Sequence, residues 1–455
     1  MERKVAMSRT LPVSPSLEYL HNEAKAFLRR QRQGDATVCP VLRRLSRFGS
    51  APDAEILAAR VSLAEVQYAL AMEYGFDSWA KLKRHVEAQA PRPQLRRGQG
   101  SAWIEGLPVL AWGHGKDCTF IGALKAALRV TDEPYTYADL MALSGVAFRV
   151  RTREDLCPSS AVAELPDEYN AIRQATGWNL PTEVQFGQEG WQPAVVQKIV
   201  ASIDAGLPVL AYNDHMDIGV VYGYEQGGAV LWYIDYRSRE VGTPYRVPAE
   251  KIGPLQSYIG RKDPALPAIE QLTHALQLAV LNWNRGVHDG GIPRRQYHYG
   301  TAAYDLWIEI LEQSAALPPE KRNETMGERM HGHNIIFYWL IDARRAGATF
   351  LRERADLLDG AQRTAILRAA DACNALANRM DQAQRQDKLF YYDRSHPYET
   401  RAAGAADDFA AIRRRETEVL LEVKQEDELI IRRLGTALST MLGQDSTASS
   451  DKREE

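Results

Sequence analysis

One stretch of this sequence carries residue types whose spacing suits covalent chemistry: Trp112-Gly113-His114-Gly115-Lys116-Asp117-Cys118-Thr119. Gly113 and Gly115 suit a tight loop, and Asp117 reads as a helix N-cap. Phe120, Ile121, Leu124 and Leu128 then recur as the apolar stripe of a helix. Cys118 is therefore expected in the first helical turn, where unpaired amides and the positive dipole end favour thiolate over thiol. Lys116 and His114 push the same way, while Asp117 opposes them. A thiolate held like this is set up to attack a carbonyl carbon.

Such a cysteine needs a scaffold, and the pattern around it predicts an α+β chain in three parts. Residues 1–88 read as a small helical module. Leu17, Leu20, Ala24, Phe27 and Leu28 recur at helical spacing, and Ser62-Leu63-Ala64-Glu65 is a capping box. The second helix is expected to stop at Gly75, and a third follows Ser78 with Trp79, Leu82 and Val86 on one face. Residues 89–102 (QAPRPQLRRGQGSA) read as a linker. A mixed segment, 103–264, holds the cysteine, a second capping-box pattern at Thr136-Tyr137-Ala138-Asp139, and three strand-like runs at 207–212, 218–224 and 229–235. Residues 265–440 are helical in pattern, with Ile269, Leu272, Leu276, Val280 and later Ala303, Trp307, Leu311 as stripes. The polar tail, 441–455, is expected to be disordered.

Composition narrows the function classes. The 455 residues carry a net charge of −3, which argues against a polycation built for nucleic acid. The excess base sits in the first hundred residues, 17 Lys+Arg against 10 Asp+Glu. No run approaches the roughly 20 apolar residues needed to span a bilayer, and MERKVAMSRTLPVSPS has no apolar secretion core. Four dispersed cysteines, Cys39, Cys118, Cys157 and Cys373, form no CxxC pair, which fits a reducing, cytoplasmic setting. No GxxxxGK[ST], GxGxxG or HExxH occurs, and no cofactor is expected.

Two resemblances sharpen this reading. PSLEYLHNEAKAFLRR and SLAEVQYALAMEYGFDSWAKLKRHVE resemble a leader module at the start of some bacterial ankyrin-repeat proteins, over roughly residues 11–88. That likeness implies a bacterial origin and a docking role for a protein partner. Asp117-Cys118-Thr119 followed by PYTYADLMALSG resembles the opening of bacteriocin-processing papain-like peptidase domains, and LMALSGVAF is similar to the N-terminal domain of butirosin biosynthesis protein H. HMDIGVVYGYEQGGAVLWYID resembles the same family's His-strand, hairpin and Asp-bearing strand, so the likeness covers about residues 103–250. It implies a papain-like domain with Cys118 as nucleophile, His215 as base and Asp235 orienting the His. The substrate would be a small-molecule or peptide acyl compound, free or carrier-bound, and the outcome hydrolysis or acyl transfer. Two departures are visible. Asp217 stands where the family places its His, with His215 two residues earlier, and Trp112 stands near the place of the usual oxyanion-hole Gln. Asp217, Lys116, His114 and Trp112 are thus expected binding or supporting residues. A catalytically degenerate relative, acting as a binding or interaction module, is the alternative.

Other chemistry-bearing residues have plainer readings. His331-Gly332-His333 suits no common zinc spacing and reads as a capped helix start before Asn334, and no metal is expected. Cys157 lies in a polar loop without a helix start. Arg413-Arg414-Arg415 and EVKQEDELIIRRL read as solvated helix faces with i,i+4 pairing.

Overall fold

Helix starts leave amides that need side-chain acceptors, and both capping boxes supply them. Ser62 Oγ accepts from Glu65 N at 3.3 Å while Glu65 Oε2 accepts from Ser62 N at 2.8 Å. Thr136 Oγ1 accepts from Asp139 N at 3.1 Å, with the reciprocal bond at 2.9 Å. The computed structural model describes residues 9–12, 17–89, 91–113, 115–131, 133, 135–162, 166–212, 218–236, 245–292, 295–390 and 409–443. The expected tail beyond 443 lies outside them.

The chain divides into two units, Met1–Arg92 and Pro93–Glu455. The first contains α1 (Leu17–Arg32), α2 (Cys39–Leu42), α3 (Asp53–Ala58), α4 (Leu63–Glu73) and α5 (Trp79–Gln89). Leu20, Ala24 and Phe27 of α1 are buried, as are Leu82 and Val86 of α5. Gly75 follows α4 at φ +84, the left-handed conformation that ends a helix without a Cβ penalty.

The second unit opens with β1 (Gln94–Gly98) and β2 (Ser101–Glu105), a hairpin where a linker was expected. Charge hides it in the sequence: β1 has a single neighbour in the sheet, and its arginines point to water and pair with Glu105 and Asp204. Edge strands tolerate such charges. Next come α6 (Thr119–Leu128), α7 (Tyr137–Leu143), β3 (Arg151–Thr152), α8 (Pro166–Thr176), β4 (Thr182–Val184) and α9 (Gln192–Asp204). The strands β5 (Val209–Tyr212), β6 (Ile218–Glu225) and β7 (Val230–Ile234) match the three apolar runs. They are followed by β8 (Tyr245–Pro248) and β9 (Leu255–Tyr258). The main sheet is antiparallel, in the order β1-β2-β6-β5-β9-β4, with β7 on β6 and β8 on β7.

Helices then dominate: α10 (Ala268–Asn284), α11 (Gly300–Ala315), α12 (Pro319–Arg354), α13 (Gly360–Arg385) and α14 (Phe409–Met441). Between α10 and α11, β10 (Val287–His288) and β11 (Tyr297–Tyr299) form a small sheet with β3. The architecture is α+β, with helices and antiparallel sheets. Residues on both sides of 265 build one hydrophobic cluster, in which Leu124, Leu140 and Phe148 join Leu276, Phe337 and Ile341. Gly347 of α12 lies so close to the Phe148 ring that a Cβ there would stand 2.7 Å from it. Histidines 331 and 333 lie inside α12 and do not start it, because the helix begins twelve residues earlier at Pro319. Arg413 and Asp427 also depart from the solvated-face reading. Arg413 is buried and pairs with Glu416 at 2.8 Å, and buried Asp427 holds Arg344 and accepts from the Tyr304 hydroxyl at 2.6 Å.

Candidate active site around Cys118

Cys118 is the N-cap residue of α6, so the helix starts one residue later than the sequence pattern suggested, where Asp117 was the expected cap. Its φ of −75° and ψ of 104° are extended, and its carbonyl accepts the first helical bond from Gly122 N at 2.9 Å. The expected capping carboxylate is engaged elsewhere. Asp117 accepts from Gly113 N at 2.8 Å through Oδ1 and from the Tyr338 hydroxyl through Oδ2. This closes the glycine loop and fastens it to α12. The thiol residue is 2% exposed.

The backbone amide of Cys118 donates to the Tyr137 hydroxyl oxygen at 2.8 Å. That hydroxyl donates in turn to Asp342 Oδ2 at 2.5 Å, and the same oxygen accepts from Asp117 N at 3.2 Å. Three stretches of chain thus meet at one carboxylate: the loop before α6, the first turn of α7, and the middle of α12. Asp342 is 5% exposed. Burial and the neighbouring charge of Asp117 push its carboxyl up to about 7. Burial, with Asp342 and Cys118 close by, holds the Tyr137 phenol well above its ordinary range, so the hydroxyl stays a neutral donor. An acid that titrates near neutrality therefore lies two hydrogen bonds from the cysteine amide.

The sheet reaches the same place from the other side. Tyr236, just past β7, donates its hydroxyl to the Lys116 carbonyl at 2.6 Å. Gly122 makes room for it, since any Cβ there would overlap that hydroxyl. Trp112 meets the Tyr236 ring at 4.9 Å and stacks on Trp339 of α12 at 5.9 Å. The Nε1 atoms of Trp112 and Trp339 are buried without an acceptor among the described residues. Asp235 is fully buried and accepts from the Tyr245 hydroxyl at 2.6 Å. Tyr212 and Ile218, which flank residues 213–217, pair directly between β5 and β6. His114, His215 and Asp217 lie outside the described residues.

The structure thus gathers Cys118, Trp112 and the Lys116 backbone near Tyr236, which adjoins Asp235. It adds Tyr137, Tyr236, Tyr338 and Asp342, which the motif reading missed. A faint signal existed for Asp342: it directly follows the apolar run Ile335–Ile341, so an acid is carried on a largely buried helix. Cys157 is half-buried, its sulfur 3.1 Å from Ser159 Oγ, and Cys39 and Cys373 are buried. No group of three potential metal ligands occurs among the described residues. No protein-family model, curated protein or solved structure matches the chain.

Proposed function

We propose that this protein performs thiol-dependent acyl chemistry on a papain-like scaffold, with Cys118 as nucleophile. The observation that carries the reading is the meeting of a helix N-terminus bearing a cysteine with a sheet end bearing a buried aspartate. The link is Tyr236, whose backbone adjoins Asp235 and whose hydroxyl holds the Lys116 carbonyl two residues before Cys118. Strands β5 and β6 bring the chain ends that flank His215 into the same sheet as β7. In the proposed reaction Cys118 gives its thiol proton to His215 while Sγ bonds to the carbonyl carbon of a peptide, amide or thioester, and the carbonyl electron pair moves to oxygen. Collapse of that adduct breaks the bond to the amine or thiol leaving group, which takes its proton from His215. Asp235 orients the imidazole. Water or an amine then gives a proton to His215 and takes the acyl group, and the departing Cys118 sulfur recovers that proton as the thiol. The buried indole N–H groups of Trp112 and Trp339 are donors suited to an oxygen-bearing acyl chain.

A second reading, a papain-like binding module without turnover, draws on the near-complete burial of Cys118 and on its amide being held by Tyr137. Turnover of short acyl thioesters and aminoacyl amides separates the two. Release of thiol or amine that disappears in Cys118→Ala and falls at least a hundredfold in His215→Ala supports the enzyme. Tight binding of the same compounds with no release in the wild type supports the module.

A further inference from the structure

Asp342 lies more than two hundred residues from Cys118 in sequence and takes no part in the proposed reaction, yet it is the hub of the bonds around that residue. Its Oδ2 accepts from Tyr137 and from Asp117 N, the amide immediately before the cysteine. The Tyr137 hydroxyl accepts from Cys118 N, so one carboxylate oxygen fixes, directly and through Tyr137, the two successive amides of Asp117 and Cys118. From the geometry of this hub, and resting on the reading of Cys118 as a nucleophile, we propose that Asp342 is a positioning residue that sets the thiol's reactivity through Tyr137.

Two consequences follow from its surroundings. Among the described residues, Tyr137 on α7 and Asp117 on the loop before α6 bond to it, Arg345 on its own helix acts on it, and Tyr338 of that helix bonds to Asp117. Arg345, which lowers the Asp342 value, also pairs with Asp381 at 3.4 Å. Two buried carboxylates side by side resist double ionisation, and one keeps its proton until about pH 7. Below that pH the cluster carries a single negative charge near the thiol, and above it two. A second charge opposes thiolate formation against the pull of the helix N-terminus. The Tyr137 hydroxyl also occupies the amide that an acyl oxyanion would need, so a substrate must take that donor from it. Tyr137 retains Asp342 as its own acceptor when that happens.

The test is the rate of Cys118 alkylation by iodoacetamide from pH 5 to 10, read by mass spectrometry of the Cys118 peptide in the full chain. The wild-type profile is expected to carry a second inflection near pH 7 besides that of the thiol itself. In Asp342→Asn that inflection vanishes and the thiol midpoint falls by about one unit, which raises the thiolate fraction about tenfold and the rate about threefold below the midpoint. Tyr137→Phe, which removes the linking hydroxyl and little volume, is expected to weaken the inflection and to move the midpoint less than Asp342→Asn does, since the charge on Asp342 still acts through space. A wild-type profile with one inflection, or a midpoint unmoved in Asp342→Asn, overturns the role of Asp342 while leaving Cys118 a nucleophile. A Cys118 that stays unreactive at every pH in every variant overturns both.

Discussion

Two buried groups at the residue scale have opposite effects on stability as pH changes. Asp342 keeps a proton in the folded chain that an unfolded aspartic acid releases near pH 4. Its folded value is raised, so its contribution is present at acid pH and is lost as pH climbs towards 7. Asp342→Asn should therefore stabilise the protein more at pH 8 than at pH 5, relative to wild type, in urea melts at both pH values. His333 works the other way. Trp307 Nε1–H donates to its Nδ1 at 2.7 Å, and Nε2 faces Glu416 at 3.3 Å. Burial holds its value below the ordinary 6.5 despite that carboxylate. Its contribution is full above pH 6.5 and is lost as pH falls through the folded value. His333→Phe should flatten the stability loss between pH 7 and 5. Neither site was legible as a motif, because each is assembled from residues tens to hundreds of positions apart. Cys118 was legible, because its loop glycines, its helix and its thiol are consecutive.

At the element scale, local chemistry carried furthest. The Ser62 and Thr136 boxes and the Gly75 stop all sit where residue types placed them. Strands β5 and β6 were readable because burial on both faces makes them continuous apolar runs, and β7 because its apolar residues are buried on one face and half-buried on the other. Strand β1 was not, since QLRRG is charged and lies at an edge. The arginine of RRRETEV that turned inward does so only because Glu416 lies one turn on, with Phe390 N donating to the same carboxylate. Two substitutions test the elements that hold the cysteine. Thr136→Ala removes the cap of α7 and should cost about 1 kcal/mol, read as a lower denaturation midpoint. Gly122→Ala should cost about 1–3 kcal/mol, because its methyl displaces the Tyr236 hydroxyl from the Lys116 carbonyl. Slower labelling of Cys118 in that variant would show that β7 braces the loop.

For the whole molecule, the helices after residue 265 belong to the same core as the cysteine segment. Arg344 of α12 donates to the Ala147 carbonyl at 2.9 Å and pairs with Asp427 of α14. Tyr338 and Asp342 of that helix hold the loop before α6. Residues 93–264 produced alone should therefore lack a cooperative melt, whereas residues 93–455 should retain one, both followed by circular dichroism. Sequence spacing could not reveal this, since nothing local in ALSGVAFRV or FYWLIDARRAG announces the other.

The claim that Cys118 is a nucleophile meets its most direct test in a competition within one chain. Four thiols are present, and Cys157 is the more exposed, while Cys118 is 2% exposed. The intact protein is given a limiting amount of a short acyl thioester, and acylation is mapped peptide by peptide. Acyl mass appearing first on Cys118, and lost again on hydroxylamine treatment, is the expected result. Acylation that follows exposure, with Cys157 modified and Cys118 untouched, would contradict it.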